Sequence, residues 1–180
     1  MSILEWLFEA QIQFGSKSIT YREIIGGLLG LTSAVFGLKR KVFAWPIGIT
    51  GDALLFTVFL GAVFSFGADG DEKTFYGQAG RNLLLIFVSI YGWIRWNQHR
   101  KSGAPGTPAV VPRWTTTKEK MVLVPAIIIF YTLAYQLFKS LGQTGTWLAV
   151  DTWIFTGTAL ATFGMSRGYV EFWLVWVAVD

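Results

Sequence analysis

The stretch W-P-I-G-I-T-G-D at residues 45–52 recurs near the end of the chain as W-L-V-W-V-A-V-D at residues 173–180. Each copy runs from a tryptophan to an aspartate inside an apolar segment. The preceding residues also match, since T-S-A-V-F-G-L-K-R-K at 32–41 resembles A-L-A-T-F-G-M-S-R-G at 159–168. A carboxylate in an apolar membrane segment costs free energy and therefore indicates function. Its repetition favours a transporter built from two related halves.

The composition is that of an integral membrane protein. Hydrophobic residues make up 53% of the chain and charged residues only 14%, against about 25% charged in soluble domains. The absence of cysteine excludes disulfides, thiolate metal sites and cysteine nucleophiles. The net charge of +4 is explained by lysine and arginine in cytoplasmic loops rather than by nucleic-acid binding. We therefore expect a multi-pass protein of the cell inner (plasma) membrane that does not bind nucleic acid.

Apolar segments of the length that crosses a bilayer follow one another along the chain. A spanning helix needs about 20 mostly apolar residues, and a sixth segment that begins at Gly168 stops at Asp180, roughly halfway across a hydrocarbon core. We expect the native protein to complete this sixth span and to add a seventh. The five complete spans are predicted at residues 24–38, 44–68, 75–94, 121–138 and 145–165.

Loop charges give the orientation and the repeat plan. Basic residues follow the first, third and fifth spans, whereas the loop after the second span is acidic, which places the N-terminus outside the cell. The first and fifth spans then run in the same direction. The predicted fold is an all-α integral membrane protein in which parallel three-helix repeats are joined by an inverting fourth helix, a 3+1+3 plan truncated in the sixth helix. The predicted divisions are a 1–20 N-terminal interfacial segment, a 21–97 first three-helix repeat, a 98–118 cytoplasmic linker, a 119–140 inverting helix and a 145–180 incomplete second repeat.

Four motifs resemble the PnuC family of vitamin transporters. They are W-P-I-G-I at 45–49 with Asp52 behind it, Y-G-Q-A-G-R-N at 76–82, S-I-Y-G-W-I-R-W at 89–96 and E-F-W-L-V-W-V-A-V-D at 171–180. The resemblance implies a SWEET-like fold and uptake of nicotinamide riboside by facilitated diffusion. Other members of the family carry riboflavin, thiamine or deoxynucleosides, so these compounds are alternative substrates for this protein.

The resemblance also implies the partners. Substrate is trapped inside the cell through phosphorylation by a separate cytoplasmic kinase, no cofactor is needed, and a homo-oligomer is left open. The sequence departs from the family pattern at Asp52, where asparagine is common, and at Asn82, where glutamine is frequent.

Three acids are candidates for substrate binding. Asp52 is predicted near the membrane midplane, and its alternative role is a structural bond to Thr50 or to a neighbouring helix. A central aspartate costs about 2.5–3.5 kcal/mol, more than a replaceable bond returns, so we favour binding. Asp180 is its repeat partner. Asp151 lies about one turn into the fifth span, where an exposed acid favoured by the helix dipole is an equal alternative.

Tryptophans and one asparagine complete the candidates. Aromatic rings can stack on a cationic pyridinium or a flavin, or can form the aromatic belt at the membrane interface; Trp45 and Trp96 fit the belt better. Asn82 binds substrate or bonds to another helix, and the neighbouring Arg81 either snorkels outward or points inward. The predicted substrate-binding residues are Asp52, Asn82, Trp93, Asp151, Trp173, Trp176 and Asp180.

An integral membrane enzyme is the alternative class. The sequence contains no H-E-x-x-H, G-x-S-x-G or P-loop motif. The single histidine, His99, lies in the predicted linker, and no metal site is predicted. A transporter rather than an enzyme is therefore expected.

Overall fold

The computed structural model describes residues 11–14, 17–64, 72–103, 108–145 and 147–179. These form two compact units, Met1–Ile86 and Phe87–Asp180. The helical class predicted from the sequence is confirmed. The described elements are the strands β1 (Gln11–Phe14) and β2 (Lys17–Thr20), followed by the helices α1 (Tyr21–Leu38), α2 (Ala44–Phe64), α3 (Glu72–Ser102), α4 (Thr117–Ser140), α5 (Trp147–Arg167) and α6 (Glu171–Val179).

A short hairpin precedes α1 in the first unit. β1 and β2 pair antiparallel, with Gln11 opposite Thr20 and Phe14 opposite Lys17. Thr20 then caps α1, because its hydroxyl accepts a hydrogen bond from the Glu23 N–H at 3.3 Å. These strands were not predicted from the sequence, since a segment of four residues is too short for its pattern to distinguish a strand from other structures. The rest of the predicted interfacial segment, residues 1–10, lies outside the described residues.

Glycines bring α1 and α2 into close contact. A Cβ atom on Gly51 would lie 3.0 Å from the carbonyl oxygen of Gly26 and 3.3 Å from the amide nitrogen of Gly30, and one on Gly48 would lie 2.8 Å from a serine hydroxyl of α1. Small residues permit this backbone approach between membrane helices, where packing drives association. Gly27, in contrast, faces open space.

The helix α4 is apolar and largely exposed. Val122 is 70% exposed and Leu133 is 64% exposed, as expected for a helix whose outer surface contacts lipid rather than water. Within the described residues, α4 is the helix with the length and composition to cross a membrane, and Ala44–Phe59 forms a shorter apolar helix. The polar ends of α1 and α3 and the threonines of α5 lower their hydropathy. The 3+1+3 plan remains a prediction.

Helix α3 extends beyond the apolar segment that ends at residue 94, and it continues to Ser102. Its last turns carry Trp96, which is only 1% exposed and donates its indole N–H to the Ser166 carbonyl at 3.1 Å. Trp45, at the start of α2, is 6% exposed. The assignment of Trp45 and Trp96 to an interfacial belt is therefore wrong. Both rings are packed inside the protein, a distinction that position along a helix does not reveal.

Candidate substrate-binding site

Asp52 and Arg81 interact within the first unit. The Asp52 carboxylate is half-buried on α2 and lies within the electrostatic influence of the Arg81 guanidinium on α3. Arg81 is also half-buried. The Thr50 hydroxyl donates to the Pro46 carbonyl at 2.9 Å, so it stabilises its own helix. Opposite charges attract more strongly where hydration is reduced, so the Arg81 charge offsets part of the cost of burying the Asp52 carboxylate.

Asn82 follows Arg81 in the sequence, and its side chain is buried. Its side chain is 1% exposed, and its amide nitrogen donates to the Gln78 carbonyl at 2.9 Å. A buried amide of this kind satisfies part of its hydrogen-bonding capacity within α3. The first unit therefore contains a carboxylate, a guanidinium and an amide from the predicted site region.

Four of the remaining candidates lie on three helices of the second unit. Trp93 on α3 is 41% exposed, and Asp151 is half-buried near the start of α5. Trp173 and Trp176 are half-buried on α6, and the Trp176 indole N–H is directed to the Met165 sulfur at 3.0 Å. Asp180, the last candidate, lies outside the described residues.

Helix α5 carries buried threonines that were not predicted from the sequence. Thr152 and Thr156 are 0% and 1% exposed. Their hydroxyls donate to carbonyls one turn earlier, at 2.7 Å in both cases. Thr158 and Thr162 bond in the same way, at 2.6 and 2.8 Å. This back-bonding satisfies each hydroxyl within its own helix, which lets an apparently polar helix pack in a nonpolar interior.

The predicted linker is partly ordered against the turn between α5 and α6. The Arg113 N–H donates to the Gly168 carbonyl at 2.9 Å, and the Val170 N–H donates to the Arg113 carbonyl at 3.0 Å. These bonds form a parallel bridge between Arg113 and Tyr169. Gly168 has a φ of +77°, and a Cβ there would lie 2.8 Å from the Val111 carbonyl oxygen. A glycine is therefore required at this position.

Side chains reinforce this contact, which we call the clasp and define as Arg113, Thr115, Glu119, Tyr169 and Glu171. Both guanidinium ends of Arg113 bind the Glu119 carboxylate, and the guanidinium carbon lies 4.8 Å from the Tyr169 ring centre. The Tyr169 hydroxyl donates to Glu119 at 2.8 Å, and the Thr115 N–H donates to Glu171 at 3.1 Å. The hydrogen bond to Glu119 raises the pKa of Arg113 above its usual range. The clasp therefore fixes the start of α4 to the start of α6.

Only one part of the clasp has a readable sequence signal. Thr116 and Glu119 form a capping box at the start of α4, and T-x-x-E before an apolar run is a recognisable helix-start motif. The partner residues on the other side are about fifty positions later, so no local pattern identifies them.

These features, an exposed apolar helix and charged groups within the helical units, are those of a membrane transport protein. A family model described as nicotinamide mononucleotide transporter matches residues 20–180, and the chain belongs to this family, the PnuC family of vitamin transporters. The riboflavin/roseoflavin transporter RibM of Streptomyces davaonensis is 28% identical over 177 residues, which cover 98% of this chain and 76% of RibM. No solved structure matches the chain. The protein is thus a membrane transporter for a vitamin and not an enzyme.

Proposed function

We propose that this protein takes up riboflavin by facilitated diffusion. The observation that carries this choice is the interaction of Asp52 with Arg81. A lone carboxylate favours a cation such as nicotinamide riboside. The positive charge of Arg81 near Asp52 reduces this preference for a cation, and the two side chains offer hydrogen-bond acceptors and donors to a neutral ligand. The similarity to the riboflavin/roseoflavin transporter RibM supports the same substrate.

Nicotinamide riboside is the second candidate. The matching family model is described as a transporter of a nicotinamide compound, and Trp173 and Trp176 offer ring faces that attract a cationic pyridinium. The same rings stack on the flat ring system of riboflavin. Both substrates therefore use the tryptophans, and the charge balance around Asp52 distinguishes them.

The proposed binding residues are those of the sequence analysis with Arg81 added. Asp52, Arg81 and Asn82 supply polar contacts, and Trp173 and Trp176 supply stacking. Trp93, Asp151 and Asp180 are proposed as further contacts. Net uptake follows from phosphorylation of the vitamin by a cytoplasmic kinase, because a facilitator equalises concentrations and does no work on its substrate.

Uptake into liposomes tests the substrate and the mechanism together. We expect labelled riboflavin to enter liposomes that contain the purified protein until the inner concentration equals the outer one. The initial rate should be the same with and without a proton or sodium gradient. Labelled nicotinamide riboside, thiamine and deoxynucleosides, each at the same concentration, should enter more slowly. Protein-free liposomes are the control.

Two results would contradict the proposal in different ways. Faster entry of nicotinamide riboside than of riboflavin would reverse the choice of substrate. Accumulation above the external concentration, driven by an inward proton or sodium gradient, would show that the protein is a symporter and not a facilitator. Asp52→Asn would then be the first variant to examine for loss of coupling.

We further propose that the N-terminus faces outward, because basic residues cluster in alternate loops. The chain contains no cysteine, so single cysteines report orientation cleanly. We expect Thr144→Cys to react with a membrane-impermeant maleimide on intact cells, and Lys39→Cys to react only after the cells are opened. Both positions are exposed. Labelling of Lys39→Cys on sealed cells with Thr144→Cys protected would invert the topology.

A further inference from the structure

A cavity of about 520 Å³ lies in the second unit, where the end of α3, the ordered part of the linker and the end of α5 meet. Arg95, His99 and Ser102 line it from α3, Arg113 from the linker and Arg167 from α5. Positions 95, 99 and 102 share one helix face, since residues three and four apart are neighbours on a helix. The volume is within the range of small-molecule sites.

The charge of this cavity is positive. Three guanidinium groups line it, and its described lining includes no carboxylate. Arg113 is bound to Glu119, whereas Arg95 and Arg167 form no salt bridge to any carboxylate in the described part of the chain. The Arg167 Nε atom is buried and makes no hydrogen bond there. A buried donor without a partner costs free energy, and a bound anion would supply the acceptor.

Close packing keeps the linker against this cavity. The side chain of Val110 lies 2.6 Å from the position that a Cβ atom on Gly168 would occupy, and the clasp holds Arg113 at the rim. The Arg167 guanidinium carbon lies 5.8 Å from the Phe163 ring centre. Two of the three guanidinium groups therefore have packed ring neighbours, which reduces the conformational freedom that a ligand would otherwise have to restrict.

We infer that this cavity binds a phosphate-bearing ligand through Arg95 and Arg167. A guanidinium presents paired N–H donors that match phosphate oxygens, and two of them can neutralise a phosphate dianion. The cavity has room for a group attached to the phosphate. The inference goes beyond vitamin uptake, and it does not depend on which vitamin is carried.

Basic residues at loop positions also set membrane orientation, and this alternative requires no ligand. Orientation depends on the number of charges near the membrane, so Arg100 should serve it as well as Arg95 does. Arg100 is exposed on the same helix and does not line the cavity. It therefore provides a matched control that separates ligand binding from orientation.

The test uses the purified full chain in nanodiscs of phosphatidylcholine, a lipid without net charge. Binding of inorganic phosphate and of riboflavin 5′-phosphate is measured by calorimetry, with riboflavin as the unphosphorylated comparison. A second series replaces part of the lipid with phosphatidylglycerol and measures the shift in melting temperature. We expect Arg95→Gln/Arg167→Gln to weaken phosphate binding at least tenfold and to leave riboflavin binding unchanged. Arg100→Gln should behave like the unaltered protein.

The outcomes identify the source of the phosphate. Binding of the soluble phosphates that needs Arg95 and Arg167 indicates a soluble ligand. Stabilisation by phosphatidylglycerol alone, lost in the double variant, indicates a lipid headgroup and also supports the site. No binding in either series, or an equal loss in Arg100→Gln, would overturn it. If the double variant fails to fold, Arg167→Lys keeps the charge but removes the paired donors, and unchanged phosphate affinity in that variant would count against the site.

Discussion

Replacement of Gly164 by alanine is expected to lower the melting temperature by roughly 5–10 °C. Gly164 on α5 faces Phe172 on α6, and an added Cβ atom would lie 2.0 Å from the Phe172 Cγ atom and 2.3 Å from its Cβ atom. Contacts this short force α6 or its side chain to move. Overpacking of this kind typically costs about 1–3 kcal/mol of folding free energy. Rotation of the Phe172 side chain cannot relieve the contact with its Cβ atom, so the backbone of α6 has to shift.

The measurement is thermal unfolding of the purified protein in detergent. Gly27→Ala is the matched control, because Gly27 is also helical but an added Cβ there meets nothing within 4 Å. The control should leave the melting temperature unchanged or raise it slightly, since alanine favours a helix over glycine by about 1 kcal/mol. Equal melting temperatures for the two variants would show that α5 and α6 do not pack as described.

Replacement of Asp52 by alanine is expected to impair both transport and stability. Loss of a charged hydrogen-bonding group to substrate costs about 1.5–3 kcal/mol, which corresponds to roughly 10- to 150-fold weaker binding. The variant also leaves the Arg81 charge without its acidic neighbour. Because both side chains are half-buried, we expect a smaller loss of folding stability than the roughly 3–5 kcal/mol that follows removal of one member of a fully buried ion pair.

A double variant separates these two effects. Asp52→Asn/Arg81→Gln removes both charges, so we expect the melting temperature to recover towards that of the unaltered protein while riboflavin uptake stays low. Glu23→Ala serves as a control for removal of an acid outside the proposed site, on the neighbouring helix α1. Full recovery of uptake in the double variant would assign Asp52 a structural role, and a melting temperature no higher than that of Asp52→Ala would argue against the charge pair.

The sequence predicted the helices and the family because long apolar segments and the motifs around Asp52 are local signals. It did not predict the partner of Asp52, since the distance of 29 positions to Arg81 follows no helical or strand period. Trp96 was misassigned for a related reason. Its side chain is buried against Ser166, seventy positions away, and an aromatic residue near a helix end is equally common at a lipid interface.

Less of the candidate site than of the fold can be predicted from the sequence. Tryptophan and aspartate can be selected because they are unusual in apolar segments, but their exposure depends on tertiary packing. Trp93 is 41% exposed, while Asn82, eleven positions earlier on the same helix, is 1% exposed. The burial of the α5 threonines likewise becomes understandable only once their hydroxyls are seen to bond to their own helix.

The clasp has a mechanical consequence for a protein that must alternate between conformations. Arg113 is joined to the turn before α6 by two backbone hydrogen bonds, and its guanidinium binds Glu119 in α4. Separation of these helix ends would require all of these bonds to break together. The start of α4 and the start of α6 should therefore move together as one rigid body. The hinges that bend during the transport cycle must lie elsewhere in the chain.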